Sequence, residues 1–192
     1  SVLSVVYIVS GKYVPHAFTP SNELWGKMIE AEGADIELID KSIVSNTAGI
    51  LVSKDTYSEI EKKYDSVSIN SVIQATVDGT IAMGYTNPYA SSTGLNFLVS
   101  ALNCFDSSDM LSTRAVESFI DFQANVPFVA YTTLQMREAA ESGALDAFIM
   151  ENQTLYNDPS LKNYKFIPFG VEHNNPMYSL GNLTSEEQEI LD

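Results

Sequence analysis

Apolar and polar positions along the chain change their spacing every ~10–15 residues, as they do when strands alternate with helices. Continuous apolar runs at residues 48–52 (AGILV) and 81–85 (IAMGY) predict buried strands. In the segment STRAVESFIDFQAN, Val116, Phe119 and Ile120 recur at helical spacing and predict an amphipathic helix. This alternation predicts an α/β fold in which helices pack on a sheet.

Most other elements follow from the same periodicities and from residues that cap or end helices. Ser, Thr and Asn precede several periodic segments, which is where helix caps are expected. Gly79 and Gly143 follow two of these segments and predict helix ends. We predict further helices within residues 21–29, 56–65, 69–79, 92–102, 132–143 and 184–192, further strands within 34–40, 127–132, 145–152 and 163–170, and an extended segment at 175–183.

The first stretch, SVLSVVYIVSG, is open to two interpretations. Its β-branched residues favour a strand on propensity alone. Its length and its terminal glycine also permit a short helix that ends at Gly11. The residues by themselves do not decide between a strand and a helix.

Polar turns follow several predicted strands, at the points where the chain enters the next helix. The turns are TPSN at 19–22, TNPYASSTG at 86–94, AYTT at 130–133 and MENQT at 150–154. In an open α/β sheet, ligands bind in the crevice beyond the carboxyl ends of the strands. The positions of the turns therefore predict a shared ligand crevice.

The turn at residues 86–94 is rich in small hydroxyl side chains, with Ser91, Ser92 and Thr93 in succession. One such side chain is enough to cap a helix. Unbonded backbone N–H groups and the partial positive charge at a helix N-terminus can also hold an oxyanion or a polar solute. A capped turn and a ligand-binding turn both remain open from the sequence.

The chain is strongly acidic, with 25 acidic and 10 basic residues among its 192 and a formal net charge of -15. This charge argues against nucleic acid as a partner and against binding to an anionic membrane surface. A small anionic ligand remains compatible, because local dipoles can outweigh the net charge. No apolar run reaches the ~18 residues that a membrane-spanning helix requires, and no signal peptide is visible.

The sequence offers little catalytic chemistry. His16 and His173 lie in no metal-binding spacing, and both are interpreted as surface-loop residues. Nucleophile-elbow, Walker A and dinucleotide-binding glycine motifs are absent from the sequence. The single cysteine, Cys104, lies in an apolar stretch and is interpreted as a buried, inert thiol. We therefore predict no enzymatic activity, no cofactor and no metal, with a Ser/Thr-based enzyme as the remaining catalytic alternative.

Several segments recur in the same order and at similar spacing in a known protein family. They are AFTPSNELWGKMI at 17–29, KSIVSNTAGILVSKD at 41–55, IAMGYTNPYASSTGLNFL at 81–98, and TLQMREAAESGAL followed by DAFIMENQTL at 133–155. Through them, nearly the whole chain resembles the type II extracytoplasmic solute-binding proteins of ABC importers. It is similar in particular to binding-protein domains that precede a von Willebrand factor A domain in bacterial surface proteins, and also to molybdate- and sulfate-type binders.

The resemblance implies an α/β, two-lobed type II periplasmic-binding-protein-like fold with a hinge. Lobe one would comprise residues 1–44 and 159–192, and lobe two would comprise residues 45–158. Lobe one would be incomplete, because the family's first strand, first helix and second strand would precede Ser1. A C-terminal helix or a further domain would follow the last residue.

Two details of the resemblance concern the start of the chain. Residues 1–11 align with a helix of lobe one, so we predict a helix there, against the strand propensity of these residues. His16 and Phe18 stand where the family has Asp and Trp. These departures affect the identity of the ligand more than the fold.

The resemblance also implies a set of ligand-binding residues that would lie in a cleft between the lobes. Within this set, Glu151 could accept hydrogen bonds from a ligand amine or hydroxyl, or it could pair with backbone N–H groups as a structural brace. The implied ligand-binding residues are Ser1, Ser21, Asn22, Ser45, Asn46, Asn87, Ser91, Ser92, Thr93, Tyr131, Thr132 and Glu151.

The function implied is non-catalytic capture of a small polar or anionic solute, with hinge closure around it. The solute would be delivered to an ABC permease or sensed at the cell surface, and the protein would be extracytoplasmic, as a lipoprotein or beside a linked von Willebrand factor A domain. The alternative is a structural or adhesion module that has kept the fold and lost the ligand.

Overall fold

A computed structural model describes residues 2–181 and 183–191 of the chain. The chain forms a mixed α/β structure, which confirms the predicted fold class, and it divides into two compact units. Unit 1 comprises residues 1–46 and 172–192, and unit 2 comprises residues 47–171.

Helices and strands alternate along the chain, as the hydrophobic pattern predicts. The described elements, in chain order, are α1 (Val2–Val9), β1 (Ala17–Phe18), α2 (Glu23–Ala31), β2 (Ile36–Asp40), β3 (Ala48–Ser53), α3 (Lys54–Tyr64), α4 (Ile69–Val77), β4 (Met83–Thr86), α5 (Ser92–Phe105), α6 (Thr113–Ala124), β5 (Phe128–Ala130), α7 (Thr133–Glu141), β6 (Ala147–Glu151), α8 (Asn152–Asn157), a 3-10 helix (Pro159–Asn163), β7 (Tyr164–Pro168), β8 (Met177–Leu180) and α9 (Ser185–Leu191).

The second unit boundary differs from the predicted lobe boundary after residue 158. Strand β7 pairs antiparallel with β3 along its whole length, so residues 159–171 belong to unit 2. The predicted boundary came from the resemblance and did not locate this pairing, because strand neighbours that are far apart in the chain are set by the sheet.

Unit 1 is built on a three-stranded antiparallel sheet with the strand order β1, β8, β2. Helix α2 packs on one side of this sheet and buries Trp25 and Ile29. The contact is close at Gly26, where an added Cβ atom would lie 2.2 Å from the ring of Tyr178. Because side chains alternate along a strand, Ser179 faces the opposite side of the sheet from Tyr178.

Helix α1 confirms the helix predicted from the resemblance, over residues Val2–Val9, and shows that the strand propensity of this stretch was misleading. Val5 and Ile8 are buried at helical spacing, and α1 packs against α2. Burial of an amphipathic face outweighs intrinsic propensity, which differs between residues by only ~0.7 kcal/mol. Ser1 lies outside the described residues.

Unit 2 is built on a five-stranded mixed sheet with the strand order β5, β4, β6, β3, β7. Strand β4 pairs parallel with both β5 and β6, whereas β3 pairs antiparallel with β6 and β7. Both faces of the sheet are covered, since Ile50 and Val52 belong to one buried cluster and Leu51 belongs to another. The continuous apolar run at residues 48–52 is thus a buried strand, as predicted.

Two further observations concern reactivity and membranes. Cys104 is half-buried, less than predicted, and burial raises the pKa of its thiol, as expected of an unreactive cysteine. In the described part of the chain, no helix combines the length and the apolar character that crossing a membrane requires.

Candidate functional site

Three strands of unit 2 end at the same edge of the sheet. Strands β4, β5 and β6 are parallel neighbours, so their last residues, Thr86, Ala130 and Glu151, lie on one side. Helices α5, α7 and α8 begin directly after these strand ends or after a short turn. We call this region the carboxyl edge; it collects all the predicted ligand-binding residues that belong to unit 2.

Asn87 shapes the turn that leaves β4. Its backbone N–H donates to the carbonyl of Ala130 at 2.7 Å, which joins the ends of β4 and β5. Its side-chain Oδ1 accepts the N–H of Tyr89 at 2.9 Å, and its carbonyl accepts the N–H of Ser91 at 2.9 Å. The Asn87 side chain therefore stabilises the turn itself.

Ser91 is the cap of α5. Its Oγ accepts the N–H of Gly94 at 3.3 Å, and it also accepts the hydroxyl of the buried Thr86 at 2.9 Å. Gly94 makes the close approach between α5 and β4 feasible, because an added Cβ atom would lie 2.0 Å from the Thr86 carbonyl oxygen. The role of Thr86 was not predicted, because its only signal in the sequence is a polar residue at the end of an otherwise apolar strand.

Thr93 and Glu151 connect α5 to the end of β6. Thr93 is only 2% exposed, and its hydroxyl donates a hydrogen bond to Oε1 of the half-buried Glu151. The Glu151 carboxylate gives α8 no side-chain cap. Glu151 thus links the end of β6 to α5 through a hydroxyl, and not through the backbone N–H groups that the brace interpretation named.

Ser92 differs from its neighbours. It is the first residue of α5 and is half-buried, and its hydroxyl has no hydrogen-bond partner among residues 2–181 and 183–191. A hydroxyl at this position is free to exchange hydrogen bonds with water or with a solute.

Tyr131 and Thr132 lie where β5 leads into α7. Thr132 caps α7, since its Oγ1 accepts the N–H of Gln135 at 3.2 Å. The Tyr131 N–H donates to Oε1 of Gln135 at 3.0 Å, while the Tyr131 side chain is 65% exposed. The ring of Tyr131 is therefore available for contact at the carboxyl edge.

The predicted residues at the start of α2 also make internal hydrogen bonds. Asn22 caps α2 by accepting the N–H of Leu24 at 3.0 Å. The Ser21 hydroxyl accepts from the indole N–H of Trp25 at 3.2 Å, and the Ser21 carbonyl accepts the N–H of Asn175 at 3.2 Å. These bonds fix the entry of the chain into α2.

Ser45 and Asn46 lie beside the segment that starts at Glu172. The Ser45 hydroxyl donates to the Glu172 carboxylate, and Asn46 exchanges two backbone hydrogen bonds with His173, at 2.8 and 2.7 Å. His173 is buried, so its interpretation as a surface-loop residue was wrong. It is held by its backbone bridge with Asn46, a residue that is far from it in the sequence. His16 is exposed, as predicted, and lies 3.4 Å from the Glu187 carboxylate.

The predicted ligand-binding residues offer hydrogen-bonding groups and little charge. Glu151 is the only one with a charged side chain, and none is Lys or Arg. No three His, Cys, Asp or Glu side chains in the described ranges come together as a metal site would require. The carboxyl edge is therefore suited to hold a polar solute by hydrogen bonds.

No protein-family model and no curated protein sequence matches the chain. Solved structures do match it. Iron-bound HitA from Pseudomonas aeruginosa has a TM-score of 0.68 at 11% identity, over 98% of this chain and 66% of that protein. The sulfate-binding protein SubI from Mycobacterium tuberculosis H37Rv matches with a TM-score of 0.66 at 10% identity, over 100% of this chain and 66% of that protein.

A periplasmic thiamin-binding protein matches with a TM-score of 0.65 at 10% identity, over 97% of this chain and 62% of that protein. These likenesses establish the fold: the chain has the type II periplasmic-binding-protein fold, as predicted. The chain spans 62 to 66% of the length of these three proteins.

Proposed function

We propose that the chain binds a small polar or anionic solute reversibly and without catalysis. The observation that carries the proposal is the carboxyl edge, where Ser92 presents an unpartnered hydroxyl at the start of the 14-residue helix α5. The proposal is supported by the shared fold, since the similar structures are named for their iron, sulfate or thiamin.

The N-terminus of α5 would contribute its partial positive charge and its unbonded N–H groups to the solute. Ser92 would add a hydrogen bond, Tyr131 an exposed ring, and Glu151 the carboxylate oxygen that does not contact Thr93. By resemblance, the proposal extends to Ser1, Ser21, Asn22, Ser45 and Asn46 as further ligand residues, and to closure about a hinge.

The proposal includes an extracytoplasmic location, where such a protein would deliver its solute to an ABC permease or sense it at the cell surface. A lipid anchor or a linked von Willebrand factor A domain would hold it there. These partners rest on the resemblance alone. A lipobox cysteine behind a signal sequence in the full-length gene would support delivery, and a gene without one would contradict it.

A second function, a structural or adhesion module without a ligand, is favoured by one specific observation. The side chains of Asn87, Ser91, Thr93 and Thr132 are all engaged in hydrogen bonds within unit 2. A turn that needs its polar side chains for its own stability can persist after ligand binding has been lost.

A thermal-shift screen against oxyanions, amino acids, sugars and polyamines separates the two functions. A solute that binds only the folded protein must raise its melting temperature in a saturable manner. We expect one class in the panel to do so by binding at the carboxyl edge, so that its effect on the melting temperature is reduced in Ser92→Ala. A flat result for every class, both with this chain and with the full-length protein, would favour the module without a ligand.

A further inference from the structure

A polar cavity of about 650 Å³ lies in unit 1, against the side of the sheet that faces away from α2. Its walls come from β2, from the end of β8 and from α9, and we call it the α9 cavity. None of the predicted ligand-binding residues lines it. Its volume falls within the range of ~300–1,000 Å³ that is typical of small-molecule sites.

Ser179 points into the α9 cavity from the central strand of the sheet. It is only 5% exposed, yet its hydroxyl has no hydrogen-bond partner in the described part of the chain. The hydroxyl oxygen itself is open to the cavity, because among the described residues only Nε of Arg137 is a fully buried side-chain nitrogen or oxygen without a partner. The hydroxyl of Ser179 is therefore placed to bond with a molecule inside the cavity.

Three exposed acidic residues line the same cavity as Ser179. Glu37 is the cross-strand neighbour of Ser179, and Asp35, two residues earlier, lies on the same side and accepts the Gly181 N–H through its carbonyl at 3.1 Å. Glu189 lines the cavity from α9. Among the described residues, none of these three acidic side chains forms an ion pair or a hydrogen bond.

Within residues 2–181 and 183–191, no Lys, Arg or His side chain forms an ion pair with these carboxylates. The sequence has no Lys or Arg from Glu172 to the end of the chain. Elsewhere in unit 1, Lys12 lies over the ring of Tyr7, Lys27 pairs with Glu23, and Lys41 forms no ion pair in the described part of the chain. Since the whole chain also carries a net charge of -15, the electrostatic potential in the cavity favours a cation.

The arrangement of the carboxylates suits an organic cation better than a metal ion. No three His, Cys, Asp or Glu side chains in the described ranges converge as metal ligands do. The carboxylates line the cavity from different elements, Asp35 from just before β2, Glu37 from β2 and Glu189 from α9. Separated carboxylates match a ligand whose positive charges are also separated along a chain of atoms.

We propose that the α9 cavity is a binding site for a small aliphatic amine with two or more ammonium groups. Its ammonium groups pair with Glu37, Asp35 and Glu189, and one of them donates a hydrogen bond to the Ser179 hydroxyl. This site is separate from the solute site at the carboxyl edge, because the two share no residue, so either can exist without the other.

The experiment is a calorimetric titration of the whole chain with spermidine in about 0.1 M NaCl, where screening removes weak surface binding. We expect saturable binding of one spermidine at this site. The double variant Glu37→Gln/Glu189→Gln should weaken it about tenfold through the loss of two close ion pairs. The control Glu59→Gln/Glu61→Gln removes the same charge from α3, at positions that are exposed like Glu37 and Glu189 but do not line the cavity, and it should change affinity less than about twofold.

Ser179→Ala gives a second test that does not alter the charge. Because the hydroxyl is unpartnered without a ligand, this variant should keep or raise the melting temperature of the amine-free protein while it weakens spermidine binding about threefold. This variant still tests the site if the double variant does not fold. Ethylamine, with one ammonium group, should show no saturable binding at the same concentrations.

Three outcomes would overturn the site. Equal weakening of spermidine binding in the two double variants would mean that the affinity depends only on the net charge of the protein. Binding that survives Glu37→Gln/Glu189→Gln but is lost in Glu151→Gln would assign the amine to the carboxyl edge. Absence of saturable binding to the unaltered chain would refute the site directly, and it would leave the proposed solute function to the thermal-shift screen.

Discussion

At the scale of the single residue, Ser91 and Ser92 are adjacent serines with different environments. Ser91 Oγ accepts from both Gly94 and Thr86, whereas the Ser92 hydroxyl has no partner in the described structure. The sequence could not separate their roles, since either serine satisfies the general rule for a helix cap. The backbone geometry of the turn decides which of the two points at the first-turn N–H groups.

This difference in environment predicts that the two alanine variants affect different properties, stability in one and solute binding in the other. Ser91→Ala should lower the free energy of unfolding by about 1 kcal/mol because it removes the cap. Ser92→Ala should leave stability almost unchanged and weaken binding of the solute found in the screen by about 1 kcal/mol, the value of one hydrogen bond. Urea unfolding and calorimetry on both variants measure the two effects.

Thr113→Ala is the matched control for Ser92→Ala. Thr113 is the first residue of α6, as Ser92 is of α5, and it is exposed without a hydrogen-bond partner in the described part of the chain. Neither stability nor solute binding should change in this variant. Loss of stability without loss of binding in Ser92→Ala would mean that Ser92 has only a structural role.

At the scale of the element, the carboxylate of Asp106 makes several of the hydrogen bonds in the loop between α5 and α6. Asp106 ends α5, and its oxygens accept from the hydroxyls of Ser108 at 2.6 Å and of Ser112, the cap of α6, at 2.9 Å. These hydrogen bonds lower the pKa of Asp106 from 3.8 to about 2. The charged form of Asp106 thus stabilises the connection between the two helices.

Acid should weaken this connection. Because the pKa of Asp106 is lower in the folded state, its contribution to stability is complete above pH 3.8 and is lost as the pH falls toward about 2. We expect Asp106→Asn to reduce the decline in unfolding free energy over this pH range, measured by urea unfolding. Asp121→Asn, at an exposed position on α6, is the control; an unchanged pH slope in Asp106→Asn would contradict the prediction.

At the scale of the whole molecule, the excess of acidic residues affects stability as well as partners. A net charge of -15 on a chain of 192 residues produces self-repulsion in the compact state. Raising NaCl from about 0.01 M to about 0.15 M shortens the Debye length to ~8 Å and should raise the melting temperature. An equal rise in melting temperature with KCl in place of NaCl would identify screening as the cause. An unchanged or lower melting temperature at the higher salt concentration would contradict the prediction.

The hydrophobic pattern by itself determined the α/β class and most of the elements, whereas the helix at α1 was predicted from the resemblance. The apolar run of β3 is a local feature, and it needs only partner surfaces on its two faces to become a buried strand. Helix starts were predictable to within a residue or two at Asn22 and Thr132, because a cap acts on N–H groups of its own first turn.

Only the tertiary structure decided which distant residues meet. The pairing of β7 with β3 places residues 159–171 in unit 2. The bridge with Asn46 holds the buried His173, and the pairing of β8 with β2 places Ser179 opposite Glu37. Such contacts join positions far apart in the chain, so no local pattern encodes them. They arise when all strands of a sheet satisfy their backbone hydrogen bonds together, which a single segment of sequence cannot specify.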